Sequence, residues 1–473
     1  MINKPNQIVD KFYQIAQIPR PSKHEERIRD YLIWWADING LAHKVDTYGN
    51  LCIKVPAPEW KENLPSIVLQ AHMDMVCVAD EWYAYDKLCD PIDVYEEDSF
   101  LHARWTSLGS DNGIGLAMAM CAVDLDERPP LELLFTVEEE TGLVGASHMS
   151  ADLISSNYLL NLDNEANNEL CIGMASIVQA DVQVPLKYMN PPENYHFYTF
   201  SIQGLHGGHS GVDIHQPFGN AIILFFEILG SYEHSVYVAT CSGWVANNAI
   251  PSSITSEIFI EDSELFHAHA ARILANFKKS HTASGATVHL KPSESVEWTA
   301  VKNFDPLIKA ILHYGSWIID FDGRIDSTHT SSKNLGVCNM QDGILSLEYS
   351  ARSYDDRKNA VFLEGLGDVF WADHAQWKVM GKSWTEDTDS WFVSWILASM
   401  KRVDERAYAG FIHAGLESGI FSNNIAGLSA ASIWPYIYFP HSPNEKVYIP
   451  DIEKAWRYLV QILSDWWKDG LPE

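Results

Sequence analysis

Five short segments of this sequence carry histidine, acidic residues and glycine in combinations that could bind a metal ion. They are His72-Met73-Asp74, Gly109-Ser110-Asp111-Asn112-Gly113, Glu138-Glu139-Glu140, Asn161-Leu162-Asp163-Asn164-Glu165 and Pro440-His441-Ser442-Pro443-Asn444-Glu445-Lys446. Two histidines with several carboxylates make a ligand mixture that suits zinc, manganese or cobalt rather than calcium. If the fold brings these segments together, they would form a transition-metal site.

The first two segments also have ordinary structural interpretations. His72 and Asp74 are two residues apart and would share one face of a strand, where Asp74 could hold the imidazole as a metal-binding histidine requires. A structural hydrogen-bonded pair would have the same sequence. Gly109 and Gly113 would let Asp111 approach a ligand closely, although an Asx turn before a helix has the same pattern.

The three consecutive glutamates repel one another unless a cation or a proton lies between them. They follow the apolar run Leu133–Val137 and precede Gly142, which weakens the alternative of a fully solvated acidic loop. His441 lies between two prolines and could be purely structural. It is the joint occurrence of the five segments that favours a metal site.

Apolar stretches next to these segments predict the elements that position them. We expect strands at 66–72, 131–137 and 158–162, and over 111–121 a loop that leads into an apolar helix. Strands that alternate with helices predict an α/β fold with a mainly parallel sheet covered by helices on both faces. Ligands of such sheets gather at the carboxyl ends of the strands, and the polar segments stand there.

The middle of the chain has a different pattern. Alternating apolar and polar residues, as in Tyr198–Ile202, predict antiparallel strands, with helices near Asn220–Leu229 and Asp262–Lys278. The predicted architecture is a catalytic domain of residues 1–185 and 382–473, interrupted by an inserted α+β domain of residues 186–381.

The N-terminal region predicts two helices separated by Ile18-Pro19-Arg20-Pro21. Ser22 and Glu25 have the spacing of a capping box, in which each side chain binds an unpaired amide at the start of the second helix. Met1–Asn6 lack the apolar core of a signal peptide, and the most apolar stretch, Ala221–Gly230, is too short to cross a bilayer. We therefore expect a cytoplasmic protein without a membrane segment.

Composition and charge exclude further classes of protein. At 473 residues the chain exceeds one ordinary core, so two domains are expected. A net charge of -30 opposes nucleic-acid binding, and it is explained by solubility or, in part, by carboxylates at a cation site. The seven cysteines include no CxxC pair, which predicts reduced, buried thiols.

The order and number of the five segments resemble the co-catalytic di-zinc exopeptidases related to carboxypeptidases and aminoacylases. Within them, the chain looks most like the aminoacyl-histidine dipeptidases, also called cytosolic non-specific dipeptidases. The matching segments run from Ile18-Pro19-Arg20-Pro21-Ser22 to His441-Ser442-Pro443, so the resemblance covers nearly the whole chain.

The resemblance implies two divalent metal ions, zinc or else manganese or cobalt. The implied ligands are His72 and Asp163 for one ion, Glu140 and His441 for the other, and Asp111 as the bridge. Asp74 would orient His72, and Glu139 would be the general base that accepts a proton from the attacking water. The family pattern is a Glu-Glu pair, one residue and then glycine. Counting back from Gly142 selects Glu139 and Glu140 and leaves Glu138 outside the site.

The inserted domain of the family closes over the site, and its motifs are present. In Gly204–Gly211 the resemblance implies that His209 polarises the scissile carbonyl. The implied substrate-binding residues are Asn248, Arg352, His413 and Glu417; Arg352 would hold the terminal carboxylate and Glu417 the ammonium. Asn247 stands where a basic residue is expected, which affects substrate preference rather than chemistry. The family also implies a homodimer joined through this domain.

The expected function is metal-dependent hydrolysis of dipeptides, including Xaa-His dipeptides such as β-alanyl-histidine. The expected partner is a small peptide substrate, with no nucleic acid and no membrane. The alternatives within the enzyme class are an N-acyl amino acid amidohydrolase and a tripeptidase. A non-catalytic metal-binding scaffold is the alternative outside it, although a scaffold would have no use for Glu139 as a base.

Overall fold

The computed structural model describes residues 5–58, 63–164, 167–211, 213–244, 248–293, 299–302, 304–321, 329–370 and 375–469. The chain divides into two units, the first formed by Met1–Met174 with Trp384–Glu473 and the second by Ala175–Ser383. The domain boundaries expected after residues 185 and 381 stay a prediction. Strand β9, which ends at Pro185, pairs with strands of the second unit.

The elements of both units are numbered in chain order. The helices are α1 (Pro5–Ala16), α2 (Glu26–Ile38), α3 (Ser110–Ala122), α4 (Val144–Ser147), α5 (Ala221–Gly230), α6 (Ser263–Ser280), α7 (Asp305–Tyr314), α8 (Asp356–Phe370), α9 (Trp391–Val403), α10 (Glu417–Asn424) and α11 (Ile449–Asp469). The strands are β1 (Ala42–Val45), β2 (Leu51–Val55), β3 (Ile67–His72), β4 (Val94–Glu97), β5 (Phe100–Ala103), β6 (Leu131–Thr136), β7 (Tyr158–Asn161), β8 (Glu169–Met174), β9 (Ser176–Pro185), β10 (Tyr188–Met189), β11 (His196–Gln203), β12 (Gly208–His209), β13 (Tyr237–Trp244), β14 (Ala249–Ile250), β15 (Ile254–Ile260), β16 (Thr287–Pro292), β17 (Ala300–Val301), β18 (Trp317–Phe321), β19 (His329–Gln341), β20 (Ile344–Ser353), β21 (Ala375–Gly381), β22 (Trp384–Thr385), β23 (Tyr408–Ile412), β24 (Ser429–Ser432), β25 (Ile437–Tyr438) and β26 (Lys446–Tyr448).

The main sheet of the first unit has the order β1-β2-β6-β3-β7-β24-β8-β22, with β23 beside β8. Its centre is parallel, because β3 pairs with both β6 and β7, and β7 pairs with β24. Strands β1, β2 and β22 pair antiparallel at the flanks. The carboxyl ends of the central strands therefore lie at one edge of the sheet.

Two apolar cores cover the two faces of this sheet. Every residue of β3 and β6 is buried, and neighbouring residues point to opposite faces. Leu69 packs in a core with residues of α1, α3, α9 and α11, whereas Val68 packs in a second core with residues of α10. The predicted α/β class with helices on both faces is confirmed.

The second unit contains an antiparallel sheet with the order β16-β11-β15-β13-β19-β20-β9-β21, and β18 pairs with β19. Helices α5 to α8 contribute to a single core with its strands. The two helices expected here are present: Asn220 caps α5 by accepting the N–H of Ile222, and Asp262 caps α6 by accepting the N–H of Leu265. This region is therefore α+β, as the sequence pattern predicts.

Two expectations about local structure were wrong. Ser22 and Glu25 do not form a capping box: the Ser22 hydroxyl donates to Asp74 Oδ2 at 2.8 Å, and Glu25 accepts the N–H groups of Lys23 and Glu138. A buried carboxylate is a strong acceptor for a hydroxyl, so the bond to Asp74 orients the Ser22 side chain, and α2 begins without a side-chain cap. The second wrong expectation is that the thiols are all buried: all seven cysteines are free, but Cys89 is exposed and Cys77 is half-buried.

Among the described residues, no helix combines the length and apolar character needed to span a membrane.

Candidate metal centre

The predicted metal ligands lie at one edge of the sheet of the first unit. His72 is the last residue of β3, Glu140 lies four residues after the end of β6, and Asp163 lies two residues after the end of β7. Asp111 is the second residue of α3, where the backbone departs from helical angles. His441 comes from the loop between β25 and β26. Distant parts of the sequence thus converge on the position expected for a ligand of such a sheet.

The carboxylate of Asp111 lies between the two histidines. Its Oδ1 is 2.9 Å from His72 Nε2, and its Oδ2 is 3.1 Å from His441 Nε2. Each histidine has a second carboxylate beside the same nitrogen: Asp163 Oδ1 is 3.7 Å from His72 Nε2, and Glu140 Oε2 is 2.9 Å from His441 Nε2. The site therefore consists of two three-residue groups that share Asp111.

These distances fit a pair of metal ions. Two ligand atoms bound at about 2.0–2.1 Å to one tetrahedral zinc ion lie about 3.3 Å apart. The nitrogen–oxygen separations within each group are 2.9 to 3.7 Å. One atom each of His72, Asp111 and Glu140 also lie within 4.8 Å of one another. Glu140 Oε1 is buried without a hydrogen-bond partner in the described chain, as expected of an oxygen that serves a cation.

Asp74 is fully buried and organises this cluster through four contacts. Its Oδ1 lies 3.3 Å from His72 Nδ1 and accepts the N–H of Glu139 at 3.0 Å. Its Oδ2 accepts the N–H of Glu140 at 3.2 Å and the hydroxyl of Ser22. When His72 donates from Nδ1 to Asp74, its Nε2 is the nitrogen left for a metal ion. Asp74 also fixes the backbone that carries the two glutamates.

The structure separates Glu138 from the other two glutamates. The N–H of Glu138 donates to Glu25, and its carboxylate accepts the hydroxyl of Thr141, which is exposed. The N–H groups of Glu139 and Glu140 instead donate to Asp74. This arrangement supports the choice of Glu139 and Glu140 made from sequence.

The clustered acids and histidines shift one another's pKa values. Burial, together with the neighbouring carboxylates, raises the pKa of Glu139 and of Asp163 well above the ordinary range, and burial also raises the pKa of Glu140. Burial lowers the pKa of His441, but the carboxylates of Glu140 and Asp111 outweigh it and raise that pKa to about 12. The pKa of His72 is raised in the same way.

Metal binding to this cluster should release protons and should strengthen as the pH rises. Because the pKa of His441 is raised to about 12, its imidazole is protonated at neutral pH in the metal-free protein, whereas a metal ligand must be deprotonated. The measurement is calorimetric titration of the metal-free protein with zinc, in buffers of different ionisation enthalpy, at mildly acidic and mildly alkaline pH. Binding that releases no protons and has the same affinity at both pH values would contradict this description of the cluster.

Sequence reasoning missed several polar residues that support the site. Asn112 Nδ2 donates to Asp163 Oδ1 at 2.5 Å. Gln70 and Thr136 donate to Glu417 Oε2 at 2.5 Å and 2.7 Å, and Asn161 Nδ2 donates to Gln70 Oε1. The available signal was that Gln70 and Thr136 interrupt strands that are otherwise almost entirely apolar, because a buried polar side chain needs a partner.

Glu417, at the start of α10, lies in this buried network. It is fully buried, and burial raises its pKa to about 7. Its Oε1 has no hydrogen-bond partner among the residues that the structure describes. His413, in the turn between β23 and α10, is buried in the same unit. Glu417 therefore keeps one oxygen available for a further donor.

The remaining predicted residues belong to the second unit. His209 pairs with Ala249 in the β12–β14 ladder, and the carbonyl of Asn248 accepts the N–H of Ser210 at 2.8 Å. The N–H of Gly211 donates to His209 Nδ1 at 3.3 Å. His209 and Asn248 are thus brought together. Asn247 lies outside the described residues.

Arg352 on β20 is a buried guanidinium. It is 5% exposed, and burial lowers its pKa to about 10. Its Nε and Nη1 atoms have no hydrogen-bond partner within the described parts of the chain. A buried guanidinium with two adjacent N–H donors that lack an acceptor favours binding of a planar anion such as a carboxylate.

Comparison with known proteins now defines the family. The model of Peptidase family M20/M25/M40 matches residues 68–465. The chain belongs to this family. The match spans every residue of the metal cluster, and it confirms the identification made from sequence segments.

Two relatives of this M20/M25/M40 peptidase are similar over their full length. It is 30% identical over 475 residues to the cytosol non-specific dipeptidase of Escherichia coli strain K12, covering 98% of both chains. The crystal structure of aminoacylhistidine dipeptidase from Vibrio alginolyticus matches with a TM-score of 0.78 and 28% identity, over 99% of this chain and 98% of that one. A tripeptidase structure from Staphylococcus aureus, with a TM-score of 0.58 and 13% identity over 98% of this chain and 99% of that one, shares the fold.

Proposed function

We propose that this M20/M25/M40 peptidase hydrolyses dipeptides with the help of two divalent metal ions. The observation that carries the proposal is the carboxylate of Asp111, which lies 2.9 Å from one histidine and 3.1 Å from the other. The dipeptidases named above, similar over their whole length, support a dipeptide as the substrate.

Two ions would be held by the residues that form the two groups. They are His72 and Asp163 for one ion, His441 and Glu140 for the other, and Asp111 for both. Histidine and carboxylate ligands suit zinc, with manganese or cobalt as the alternatives. Bound divalent ions would lower the pKa of a water molecule enough to make it a nucleophile near neutral pH.

Glu139 is the proposed general base. It adjoins the ligand Glu140 in sequence, and its backbone is fixed by Asp74. Its pKa is raised by burial and then by the carboxylates of Glu140, Glu417 and Asp111, so its carboxyl group has a high proton affinity. Glu139 would accept a proton from the attacking water and later deliver it to the leaving amine.

His209 and Arg352 are the proposed substrate contacts of the second unit. Because Nδ1 of His209 accepts a backbone N–H, the neutral imidazole carries its proton on Nε2 and can donate to an oxyanion. Arg352 would bind the terminal carboxylate of the dipeptide with the two donors described above. Asn248, beside His209, would contact the substrate. In the first unit, Glu417 would accept from the substrate ammonium, with His413 nearby in sequence.

We further propose that the protein is a cytoplasmic homodimer. The similarity to a cytosol dipeptidase supports a cytoplasmic protein. We place a homodimer contact on the second unit, where the edge strand β21 exposes most of its residues, including Trp377 at 53% and Val379 at 57%. An exposed edge strand is a ready surface for pairing.

The decisive experiment assays chelated protein on β-alanyl-histidine and on a plain dipeptide, before and after adding zinc, manganese or cobalt. We expect cleavage only after metal is restored, and much slower cleavage of a dipeptide amide, because Arg352 then has no carboxylate to bind. An N-acyl amino acid and a tripeptide are run beside them. Preference for the acylated substrate would indicate an amidohydrolase, and preference for the tripeptide a tripeptidase. Metal binding without hydrolysis of any substrate would indicate the non-catalytic scaffold.

A further inference from the structure

The loop that carries His441 also carries Glu445, a carboxylate that the proposed chemistry does not use. Glu445 is only 3% exposed. The loop is internally bonded, since the Ser442 hydroxyl donates to the carbonyl of Phe439, and the N–H of Glu445 donates to the carbonyl of Ser442 at 3.1 Å. Glu445 therefore has a fixed position relative to His441.

The carboxylate of Glu445 collects the unpaired donors at the start of α3. Oε2 accepts the N–H groups of Leu108 at 2.9 Å and Gly109 at 3.1 Å. Oε1 accepts the N–H of Ser110 at 2.8 Å, the Ser110 hydroxyl at 2.6 Å and, more distantly, the N–H of Asp111 at 3.5 Å. The first amides of a helix have no partner within the helix, and an anion at this end is favourable. Four of the five donors are backbone amides, and toward these Glu445 acts only as an acceptor.

Gly109, whose N–H is one of these donors, is also held through its carbonyl by Arg20. The buried guanidinium of Arg20 donates to the carbonyl of Gly109 at 2.5 Å and to the carbonyls of Met73 and Asp74 at 3.0 Å and 2.6 Å. Gly109 has a φ of 67°, and a Cβ there would lie 2.6 Å from the sulfur of Met75. The backbone before Asp111 is thus held between an anion and a cation, with no room for a side chain.

We propose that Glu445 is a positioning residue that sets the distance between Asp111 and His441. It is joined by its own loop to His441 and by five hydrogen bonds to residues 108–111, one of them to the N–H of Asp111 itself. These two ligands belong to the same three-residue group, with Glu140. The inference rests on the proposed two-metal site, and it predicts that Glu445 controls metal affinity chiefly in this group.

The experiment is metal titration of the metal-free, full-length protein by calorimetry and by cobalt absorption, for the wild type and for Glu445→Gln. Glutamine keeps the shape of the side chain, but its amide nitrogen cannot accept the donors that now bind one oxygen. We expect one of the two ions to bind about 10–100-fold more weakly, as is typical when a residue that supports a ligand is replaced. Hydrolysis should then require more added metal, and kcat at saturating metal should recover.

The matched control is Glu132→Gln. Glu132 is a second buried glutamate of the same unit, 3% exposed, and it accepts the N–H of Ser155 at 2.7 Å. It lies near the amino end of β6, whereas the ligands lie beyond the carboxyl ends of the strands. This variant should bind both ions with the affinity of the wild type.

The named outcomes separate this inference from the proposed function. Two unchanged affinities in a folded Glu445→Gln protein would overturn it, and so would an equal loss in Glu132→Gln. If Glu445→Gln does not fold, Ser110→Ala removes one of the five donors, the hydroxyl. A smaller loss of affinity for one ion is then the expected result, and unchanged affinity would overturn the inference. None of these readings depends on whether the protein cleaves dipeptides.

Discussion

Replacing Glu139 with glutamine should lower kcat for dipeptide hydrolysis by about 10²–10⁴-fold, the usual contribution of a general base. Glutamine has nearly the same shape but cannot accept a proton from water. The N–H of residue 139 would still donate to Asp74, so the ligands should keep their places. The measurement is steady-state kinetics at saturating metal, with metal content determined by elemental analysis of the same sample.

Glu138→Gln is the matched control, one residue away. The Glu138 carboxylate accepts the Thr141 hydroxyl, and its loss should leave kcat close to that of the wild type. If Glu138→Gln were inactive and Glu139→Gln active, the register taken from sequence would be wrong. If the Glu139→Gln protein lost its metal ions, the fall in kcat could not be assigned to proton transfer. The proposed role of Glu139 as the general base would then not stand.

Replacing Asp111 with asparagine should abolish the paired metal site and reduce hydrolysis to the level of the chelated protein. The two oxygens of Asp111 serve two different histidines. An asparagine offers one oxygen and one NH₂ group, which cannot bind a cation. One ion therefore loses a ligand, and both lose a shared negative charge. The measurement is the number of bound ions and their affinities, determined by calorimetry and elemental analysis.

Asp465→Asn is the control for this second prediction. Asp465 is a buried aspartate of the same unit, 2% exposed, and it lies on the distant helix α11. Its carboxylate accepts a hydrogen bond from Arg402 at 2.7 Å. Its replacement should affect the free energy of unfolding but not the number of bound ions. An Asp111→Asn protein that still binds two ions with unchanged affinity would show that this carboxylate does not bridge them.

The sequence predicted the parts of this fold that depend on strong apolar patterns. The buried strands β3, β6 and β7 and the helix α3 were found because each is a continuous apolar run with polar residues at its end. Short elements such as β22 and β25, of two residues each, carry no such pattern and depend on tertiary contacts. The capping box was not formed because the Ser22 side chain is oriented by its bond to Asp74, which is distant in sequence.

The histidine and acidic residues of the candidate site could be predicted from the sequence, whereas its neutral polar residues could not. His72, Asp111 and Glu140 have side chains whose chemistry implies a ligand, and family resemblance supplied their grouping. Gln70, Thr136 and Asn112 are neutral and common, and their roles depend on which strand lies beside which. That information comes from sheet order, which no local pattern contains.

The position of β24 has a consequence for the order in which a ribosome can complete this protein. β24 lies between β7 and β8 in the sheet, yet it is made more than two hundred residues later. The first unit therefore cannot close its sheet during translation until after the second unit has emerged, although domains generally fold in order from the N-terminus. During that interval the nascent chain would hold an unfilled strand position at β7 and an acidic cluster that lacks His441. We expect the metal ions to bind only after translation is complete. We also expect chaperones to bind the incomplete first unit while strand β7 lacks its partner β24.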